Sequence, residues 1–337
     1  MIYNLEINGY KNIGYENIGF KPITVFTGLN STGKSSILQA ILLLAKEVSF
    51  NGMSLNKVVS SSFDVIRNKY TNASNISILC RTDKGELQYT QDRNGKLMSP
   101  GFQVAILPQY ESNLFYLSAN RKGVENDALF SDEMICGPDG SYLYGTYERE
   151  KSNSLVKGMI RDNESHTLAS QVNYWLKEIL KLPIEFYTIK SNNEKVDIRF
   201  KSDVFTDLVP TQLGAGVSYL VKILILCLRA SENDIILIEN PEIHLHPGAQ
   251  SRLADFFTMI ANNGIQLIIE THCENLLNKF RYEVYKKELK NDDIVIFYKN
   301  DIVSKFEQIN IIEDGSYQPD FPEGFFDATL CELLEME

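Results

Sequence analysis

The chain has 337 residues, of which 44% are hydrophobic, which is enough for one large α/β domain or for a core with a substantial insertion. Its 33 basic and 44 acidic residues give a net charge of −11, which argues against nucleic-acid binding over the whole surface but leaves a local basic groove open. The apolar runs 37–45 and 219–230 are too short to span a bilayer, and five scattered cysteines without metal-type spacing or a secretory signal predict a reduced, cytoplasmic protein.

The first part of the chain predicts two strands, over residues 3–8 and 18–27, because apolar and β-branched residues dominate there. We interpret residues 9–17 between them as a turn-prone segment. A glycine-containing segment, residues 28–35, follows the second strand directly. A largely apolar run of helical length then continues to residue 48. The pattern therefore predicts a strand, a short loop and a helix in succession.

The loop between this strand and this helix fits the pattern G-x-x-x-x-G-K-[ST]. Its residues are Gly28, Leu29, Asn30, Ser31, Thr32, Gly33, Lys34 and Ser35. Glycines allow backbone N–H groups to curl around a polyphosphate, and the positive end of the next helix points at that anion. In such a loop Lys34 reaches the β- and γ-phosphates, and the Ser35 hydroxyl joins the shell of a magnesium ion. The flanking elements favour a nucleotide-binding loop over a chance Gly/Ser segment.

The middle of the chain, residues 49–209, has a different, mostly β-like pattern with a strong hairpin turn at Asn94-Gly95. The predicted elements of this region are strands over residues 75–80, 85–90, 102–107, 113–117, 184–189 and 195–200, a loop over residues 136–145 and a helix over residues 167–182. We interpret this region as an inserted β-rich and helical part that receives a partner or ligand.

The last part returns to alternating strands and helices. The predicted elements are helices over residues 212–229, 247–262 and 273–280 and strands over residues 234–239, 265–270, 293–298 and 302–308. Two near-continuous apolar strands linked by a helix predict a parallel sheet that is covered on both faces. The sequence thus predicts an α/β core formed by residues 1–48 and 210–337.

An acidic residue ends one of these buried strands. A phosphate loop needs a carboxylate that helps to hold Mg²⁺, directly or through water, at the end of a neighbouring strand. Glu239 ends the strand over residues 234–239, and Asn240 and Glu242 follow it closely. The alternative is a strand that ends in exposed carboxylates, but a phosphate loop in the same chain favours the metal role.

Several segments resemble motifs of one ATPase family. Residues 239–247, ENPEIHLHP, resemble the Walker B and D-loop segment of ABC-type ATPases, and most closely that of their OLD-like and SMC-like branch. Residues 213–218, LGAGVS, resemble the ABC signature of this branch, and residues 270–272, ETH, resemble its switch histidine. The tail 321–327 and the loop 137–140 resemble small stand-alone bacterial AAA-family ATPases without a nuclease domain. Members of that wider group occur in anti-phage defence cassettes.

The resemblance implies a P-loop NTPase with an ABC-ATPase-like head, a mixed sheet flanked by helices and an inserted region, that uses ATP and Mg²⁺. It implies that ATP contacts Gly28, Asn30, Ser31, Thr32, Gly33, Lys34, Ser35 and Ser36 of one subunit and Gly214, Gly216 and Ser218 of another. Mg²⁺ would be held by Ser35 and, through water, by Glu239. The implied catalytic residues are Glu239, Asn240, Glu242 and His272. We therefore expect a head-to-tail homodimer or a higher oligomer; for Gly214 and Gly216 the alternative is a flexible helix entry.

The sequence departs from the ABC pattern at Asn240, where these ATPases usually carry a glutamate that polarises the attacking water. An amide orients water but cannot accept its proton. Either Glu242 takes this role, or hydrolysis is slow and ATP acts mainly as a clamp between subunits. His272 is expected to sense the γ-phosphate from a strand end; a structural buried histidine is the alternative.

Other polar residues allow competing interpretations. His244 and His246 would fit a metal site with His272 or Cys273, but a zinc site requires three or four convergent ligands. We favour a helix start at His246 and a dimer contact at His244. Arg121 follows a predicted strand, and we expect it either to contact phosphate or a partner or to be solvated.

The sequence after His272 contains no nuclease-type carboxylate cluster and no nucleophilic constellation. We therefore expect an ATPase that regulates a separately encoded effector, a nuclease or a toxin, in anti-phage defence. One alternative is a DNA-binding repair or maintenance ATPase, whose basic groove would include Lys286, Lys287 and Lys290. Another is a nucleotide-gated scaffold with little turnover.

Overall fold

A computed structural model describes residues 1–100, 108–162, 164–322 and 325, with the backbone alone for residues 97–100. The α-helices in the described part are α1 (Lys34–Val48), α2 (Phe63–Ile66), α3 (Leu143–Glu150), α4 (Leu168–Leu180), α5 (Ala215–Arg229), α6 (Pro247–Asn262) and α7 (Glu274–Tyr285). Short 3₁₀ segments are Phe50–Lys57, Lys157–Met159, Pro210–Gln212 and Asn291–Asp293. None of the described helices combines the length and the apolar character that a bilayer crossing requires.

A seven-stranded mixed sheet forms the centre of the fold. Its strands, in spatial order, are β15 (Tyr317–Gln318), β14 (Glu307–Ile311), β13 (Ile294–Lys299), β3 (Ile23–Gly28), β12 (Gln266–Glu270), β11 (Ile235–Glu239) and β7 (Leu114–Leu117). The strands from β13 to β7 are parallel, whereas β14 and β15 are antiparallel to their neighbours. Strands β3, β11, β12 and β13 are buried along their whole length, as parallel strands covered on both faces require.

Two smaller antiparallel sheets complete the architecture. The five-stranded sheet has the order β2 (Ile13–Gly19), β1 (Ile2–Tyr10), β4 (Asn75–Thr82), β5 (Gly85–Asp92) and β6 (Lys96–Pro100). The three-stranded sheet has the order β8 (Asp127–Leu129), β10 (Lys195–Ser202) and β9 (Ile184–Lys190). The predicted α/β class, with a mixed sheet flanked by helices, is confirmed.

The two faces of the central sheet pack against different layers. Ile236 and Ile238 of β11 belong to a core that includes α4 to α7 and the three-stranded sheet. Leu237, which alternates with them, belongs to a second core with α1 and the five-stranded sheet. Phe26 of β3 and Phe297 of β13 stack in this second core with 5.5 Å between their ring centroids. The phosphate-loop helix α1 is therefore enclosed between two sheets.

The structure corrects the prediction for the first strands. Residues 18–27 do not form one strand, because the strand ends at Gly19 and a new one begins at Ile23, after Pro22, which has no N–H donor for a ladder. Residues 9–17 are not a long turn either. Lys11 takes a left-handed φ of 51°, so the turn is confined to the tip of a β1–β2 hairpin.

Two later predictions also differ from the structure. The predicted strand 302–308 begins only at Glu307, because the Asp301 carboxylate accepts hydrogen bonds from the backbone N–H groups of Val303 and Ser304 and forms a turn. The predicted loop 136–145 ends earlier, since α3 begins at Leu143. The predicted strand 102–107 and most of the tail 321–327 lie outside the described residues.

The strands of the predicted inserted region contribute to all three sheets. Strands β4, β5 and β6 extend the sheet begun by β1, and β8, β9 and β10 form the three-stranded sheet. Strand β7 pairs with β11 at the edge of the central sheet. The division of the chain at residues 48 and 210 stays a prediction, and β7 places part of the middle region beside the strand that ends in Glu239.

Candidate functional site

The phosphate loop joins the end of β3 to the start of α1, and its backbone requires glycine at two positions. Gly28 has φ 123° and Gly33 has φ 114°, which side-chain-bearing residues rarely adopt. A Cβ atom on Gly28 would lie 2.0 Å from the carbonyl oxygen of Lys299, and one on Gly33 would lie 2.7 Å from Oδ1 of Asn12. The two fixed glycines of the motif thus allow the loop to pass close to its neighbours.

Lys34 begins helix α1 with its side chain turned into the loop. Its Nζ donates hydrogen bonds to the carbonyl oxygens of Gly28 at 3.1 Å and Leu29 at 2.5 Å. Burial lowers the pKa of the Lys34 ammonium, and the charge of Glu270 partly opposes that shift. The predicted phosphate ligand therefore lies inside the loop.

The remaining predicted loop residues surround Lys34. Asn30 and Ser31 are exposed, and Ser31 has a left-handed φ of 64°. Thr32 is buried and donates its hydroxyl hydrogen to the Leu29 carbonyl at 2.9 Å, which closes the loop. The backbone of the loop is therefore fixed by its own side chains, with residues 30–31 facing solvent.

Glu270, at the end of β12, contacts the loop and was not assigned a role from the sequence. The Ser35 hydroxyl donates a hydrogen bond to Oε1 of Glu270 at 2.9 Å. Strand β12 lies between β3 and β11, and Glu270 pairs in register with Glu239. Burial, with the nearby charge of Glu239, raises the pKa of Glu270 to about 7. Glu270 of β12, and not only Glu239 of β11, is therefore a candidate carboxylate beside the phosphate loop.

Glu239 is held on the side of the site that faces β7. Its Oε1 accepts a hydrogen bond from the Tyr116 hydroxyl at 2.9 Å, and its Oε2 accepts one from the Ala119 N–H at 3.0 Å. The backbone carbonyl of Glu239 accepts a hydrogen bond from Arg121 at 2.8 Å. Arg121 is only 2% exposed, so the expectation of a solvated side chain is wrong for it.

Asn240 and Glu242 lie on the turn that follows β11. Asn240 adopts a left-handed φ of 44°, and its N–H donates to the Glu270 carbonyl at 2.7 Å. Oε1 of Glu242 accepts a hydrogen bond from the backbone N–H of His272 at 3.3 Å, and burial raises the pKa of the Glu242 carboxyl group. The turn is therefore tied to the end of β12 at two points.

Three buried acceptor oxygens at this edge have no hydrogen-bond partner among the described residues: Oδ1 of Asn240, Oε2 of Glu242 and Oε2 of Glu270. Unpaired buried acceptors are costly unless a cation or a donor reaches them. Mg²⁺ is commonly bound by one or two carboxylates together with substrate phosphates and water. The residues at this edge fit such an ion beside Ser35.

His272 is exposed at the end of β12, so the alternative of a buried structural histidine is wrong. Burial of part of the ring and the charge of Lys34 lower the pKa of His272, whereas a hydrogen bond with the Gly28 backbone raises it. The imidazole therefore lies next to the phosphate loop, where a change of anion charge would act on it.

The segment with the predicted signature residues opens α5. Gly214 is exposed, and a Cβ atom there would meet no atom of the described residues within 4 Å. Gly216 is buried, and its Cβ would lie 2.4 Å from the His244 carbonyl oxygen, so it allows α5 to pack against the turn after β11. Ser218 is 1% exposed, and its hydroxyl has no hydrogen-bond partner among the residues that the structure describes. The structure therefore does not present Ser218 to a second subunit, because helical periodicity turns it inward.

The two histidines near this turn have structural contacts. Nδ1 of His246 accepts a hydrogen bond from the Gly248 N–H at 3.2 Å and caps α6, as we expected from the sequence. The His244 ring lies 5.1 Å from the Tyr219 ring of α5. Over the ranges that the structure describes, no group of three or more His, Cys, Asp or Glu side chains is placed to hold a metal ion alone.

The tip of the β1–β2 hairpin also contacts the phosphate loop, which the sequence did not predict. The Asn12 amide donates to the Ser31 carbonyl at 3.1 Å and accepts from the Ser36 hydroxyl at 2.9 Å. Lys11 donates a hydrogen bond to the Gln39 side chain of α1. Because residues 9–17 looked like an ordinary turn, only the polar pair Lys11-Asn12 at its tip could have indicated this role.

A cleft of about 900 Å³ opens beside Ser35 and Glu239. It extends between the 3₁₀ segment Phe50–Lys57 and the loop that carries Asp139 and Tyr142. Most of its lining side chains are polar or charged, so the cleft suits a hydrated, charged ligand. Residues of the loop 137–140, whose sequence resembles that of small bacterial ATPases, therefore line the same cleft as Ser35.

Comparisons with known proteins identify the family of the chain. Residues 1–206 match a family model described as "AAA ATPase domain", and residues 142–278 match one described as "AAA domain, putative AbiEii toxin, Type IV TA system". None of the curated protein sequences is significantly similar to the chain.

Two solved structures share the fold. One is an SMC head bound to the C-terminal winged-helix domain of ScpA, with 16% identity, a TM-score of 0.57, and coverage of 92% of this chain and 98% of that chain. The other is an SMC head with an extended coiled coil, bound to the C-terminal domain of ScpA derived from Pyrococcus furiosus. It has 14% identity, a TM-score of 0.58, and coverage of 100% and 99%. The chain therefore has the fold of a P-loop, ABC-type ATPase head.

Proposed function

The chain belongs to the AAA ATPase domain family, and from that premise we propose that it binds and hydrolyses ATP with Mg²⁺ at the edge of its central sheet. We further propose that it is a member of the OLD-like and SMC-like branch of ABC-type ATPases. In this proposal two copies pack head to tail around two ATP molecules.

One observation carries the proposal: the phosphate loop and the acidic ends of two parallel strands meet at one place. Lys34 lies inside the loop, and Ser35 contacts Glu270 of the neighbouring strand at 2.9 Å. A positive side chain, a hydroxyl and unpaired carboxylate oxygens are what a triphosphate with its magnesium ion requires. Bound Mg²⁺ would supply a positive charge that stabilises the leaving phosphate oxygens.

Glu242 is the residue that we propose as general base. Burial raises the pKa of its carboxyl group, and Oε2 has no hydrogen-bond partner in the described part of the chain. A carboxylate base with a raised pKa accepts a proton from water more readily. Asn240 orients water without accepting its proton, so turnover is slow if Glu242 does not reach the attacking water. ATP would then act mainly as a clamp between two copies.

Gly214 supports the dimer, since it is exposed and a Cβ atom there would meet nothing within 4 Å in the part of the chain that the structure describes. The backbone at the start of α5 is therefore accessible to a second copy. Ser218 is removed from the proposed contact because it is buried.

At the biological level we propose a regulatory ATPase in anti-phage defence that controls a separately encoded nuclease or toxin. The resemblance of its motifs to that group of ATPases supports this role. The two solved SMC heads are bound to a domain of ScpA, so a head of this fold is able to carry a second protein.

Sedimentation and nucleotide binding test the central proposal. We expect the wild type to bind ATP with Mg²⁺ and to shift from monomer to dimer. Lys34→Ala should lose both properties, because the loop loses its only lysine. Glu242→Gln should retain ATP and accumulate the dimer, with hydrolysis reduced by about 10²-fold or more. Lys84→Ala, on an exposed turn, is the matched lysine control.

The outcomes separate the parts of the proposal. A wild type that binds no adenine nucleotide contradicts it entirely. A protein that hydrolyses ATP at full rate as a strict monomer contradicts the dimer alone. Unchanged hydrolysis in Glu242→Gln would contradict the role of Glu242 as base and leave the nucleotide site intact.

A further inference from the structure

The Ser35 hydroxyl and the Glu270 carboxylate form a pair at the centre of the site. Ser35 donates its hydrogen to Oε1 of Glu270 at 2.9 Å, which leaves the lone pairs of the hydroxyl oxygen free to face a cation. Oε2 of Glu270 has no partner among the described residues, although Glu270 is only 7% exposed. A buried carboxylate with one oxygen that has no partner among the described residues therefore lies beside the Ser35 hydroxyl.

Glu239 differs from Glu270 in how its oxygens are used. Both of them already accept hydrogen bonds, from the Tyr116 hydroxyl at 2.9 Å and from the Ala119 N–H at 3.0 Å. These donors come from β7 and the residues after it, on the side of Glu239 away from β12. Glu239, which the order of the motifs assigns to the metal, therefore has a protein donor for each carboxylate oxygen. Among the described residues, Glu270 has a donor for only one of its two oxygens.

We propose that Glu270, more than Glu239, is the carboxylate of the magnesium site: it positions the Ser35 hydroxyl and directs its second oxygen at the ion or its water. This inference rests on the proposed function, because it concerns the site in which ATP and Mg²⁺ are held. Strand order explains it, since β12 lies directly beside β3 whereas β11 is one strand further away.

Glu270 is a positioning residue for the metal. A carboxylate that accepts the hydrogen of a metal-binding hydroxyl fixes the orientation of that hydroxyl and increases the electron density on its oxygen. Loss of such an outer partner typically reduces metal affinity by about 10–100-fold. Glu239 would instead position the end of β7 and the loop that carries Arg121, through Tyr116 and Ala119.

The test measures how Mg²⁺ affects binding of the slowly hydrolysed analogue ATPγS to the full chain. Affinities are determined by calorimetry in EDTA and in increasing Mg²⁺, with Mn²⁺ binding in the presence of ADP followed by electron paramagnetic resonance. The variants are Glu270→Gln and Glu239→Gln. Glu283→Gln, a buried carboxylate on α7 that pairs with Lys279, is the matched control.

We expect Glu270→Gln to bind ATPγS in EDTA within about 3-fold of the wild type and to weaken Mn²⁺ binding by about 10–100-fold. Glu239→Gln should weaken Mn²⁺ binding less than Glu270→Gln, and Glu283→Gln should behave as the wild type. The proposal is overturned if Glu270→Gln retains full metal affinity while Glu239→Gln loses it.

A second measurement does not depend on nucleotide. In the nucleotide-free protein, a double-mutant cycle of Ser35→Ala and Glu270→Gln should show that their effects on the unfolding midpoint are not additive. Additive effects would contradict the pair. If the wild type itself binds no ATPγS, the proposed function fails and the metal role with it. Failure of the proposed function would be seen as loss of ATPγS binding in the wild type. Failure of the metal role of Glu270 alone would be seen as unchanged Mn²⁺ affinity in Glu270→Gln, with normal ATPγS binding in the wild type.

Discussion

The Arg121 guanidinium lies over the Tyr219 ring, with 5.0 Å between its central carbon and the ring centroid. The same guanidinium donates hydrogen bonds to the backbone carbonyls of Glu239 at 2.8 Å and Asn240 at 2.9 Å. One buried side chain thus joins the end of β11 to helix α5, whose first residues belong to the proposed contact between subunits. We therefore expect Arg121 to couple the two places.

Arg121→Met should uncouple these two places. The change removes the donors of two largely buried carbonyl groups and should lower the free energy of unfolding by about 3 kcal/mol. Because the phosphate loop is untouched, we expect nucleotide affinity to change less than ATP-dependent dimerisation. Urea unfolding and sedimentation with ATP measure the two effects.

Arg121→Lys keeps a charge but not the planar guanidinium fork, so it should restore stability only in part. If Arg121→Met dimerised with ATP as the wild type does, the connection would have no functional role.

The two glycines at the start of α5 should respond differently to alanine. In Gly216→Ala the new Cβ would lie 2.4 Å from the His244 carbonyl oxygen, so we expect a loss of about 1–3 kcal/mol of unfolding free energy. In Gly214→Ala the new Cβ meets no described atom within 4 Å, and a φ of −63° suits alanine. Gly214 is the N-cap of α5, where alanine is less favourable than glycine, so the loss should stay below about 1 kcal/mol. Thermal unfolding distinguishes them. A Gly214→Ala variant that folds normally but dimerises weakly with ATP would support the proposed contact, and equal stability of the two variants would contradict the packing argument.

Lys222 of α5 is fully buried and paired. Its Nζ donates to Oε2 of Glu125 and to the Lys122 carbonyl, both at 2.8 Å. Lys222→Met removes the partner of Oε2, whereas Lys122 Nζ still lies 3.4 Å from Oε1 of Glu125. The change should therefore cost up to about 3 kcal/mol of unfolding free energy. The double variant Lys222→Met with Glu125→Gln should recover part of this loss. The exposed pair Lys195–Asp127 is the control, and Lys195→Met should leave the unfolding midpoint nearly unchanged. Equal effects at the two lysines would contradict the assignment.

The metal-free, nucleotide-free protein should lose stability as pH rises from about 4.5 to about 7. Burial, with the charges of Glu239 and Glu242, raises the pKa of Glu270 from 4.5 to about 7, against the opposing effects of Ser35 and Lys34. The folded protein therefore holds a proton that the unfolded chain releases, and ionisation above pH 7 costs about 3 kcal/mol.

Glu270→Gln removes this titration. Its unfolding free energy should match that of the wild type near pH 4 and exceed it near pH 8, as measured by urea unfolding in EDTA. A difference between the two proteins that does not vary with pH would show that Glu270 ionises normally.

Much of the central sheet was predictable because its strands are continuous apolar runs. The strand and turn boundaries that were predicted wrongly depend on single residues that act only on the adjacent backbone. Lys11 narrows a turn to a hairpin tip by adopting a left-handed φ, and Asp301 delays β14 by bonding to the next backbone N–H groups. Neither effect alters hydrophobic periodicity, so pattern analysis does not detect it.

The site was predictable where one segment carries the chemistry, as in the phosphate loop. Glu270 was recognised only as part of a motif, since its role depends on β12 lying between β3 and β11. Strand order is not visible in the sequence. The burial of Arg121 was not predictable for a similar reason: two of the carbonyls that it binds, those of Glu239 and Asn240, belong to residues more than a hundred positions away. Ser218 fits the motif but its position on α5 turns it inward, which a motif does not reveal.

The Asn12 side chain occupies the space that the missing side chain of Gly33 leaves free, and it holds Ser31 and Ser36 at the same time. A genetic screen would therefore find inactivating substitutions at Asn12, far from any motif, that mimic damage to the nucleotide loop itself.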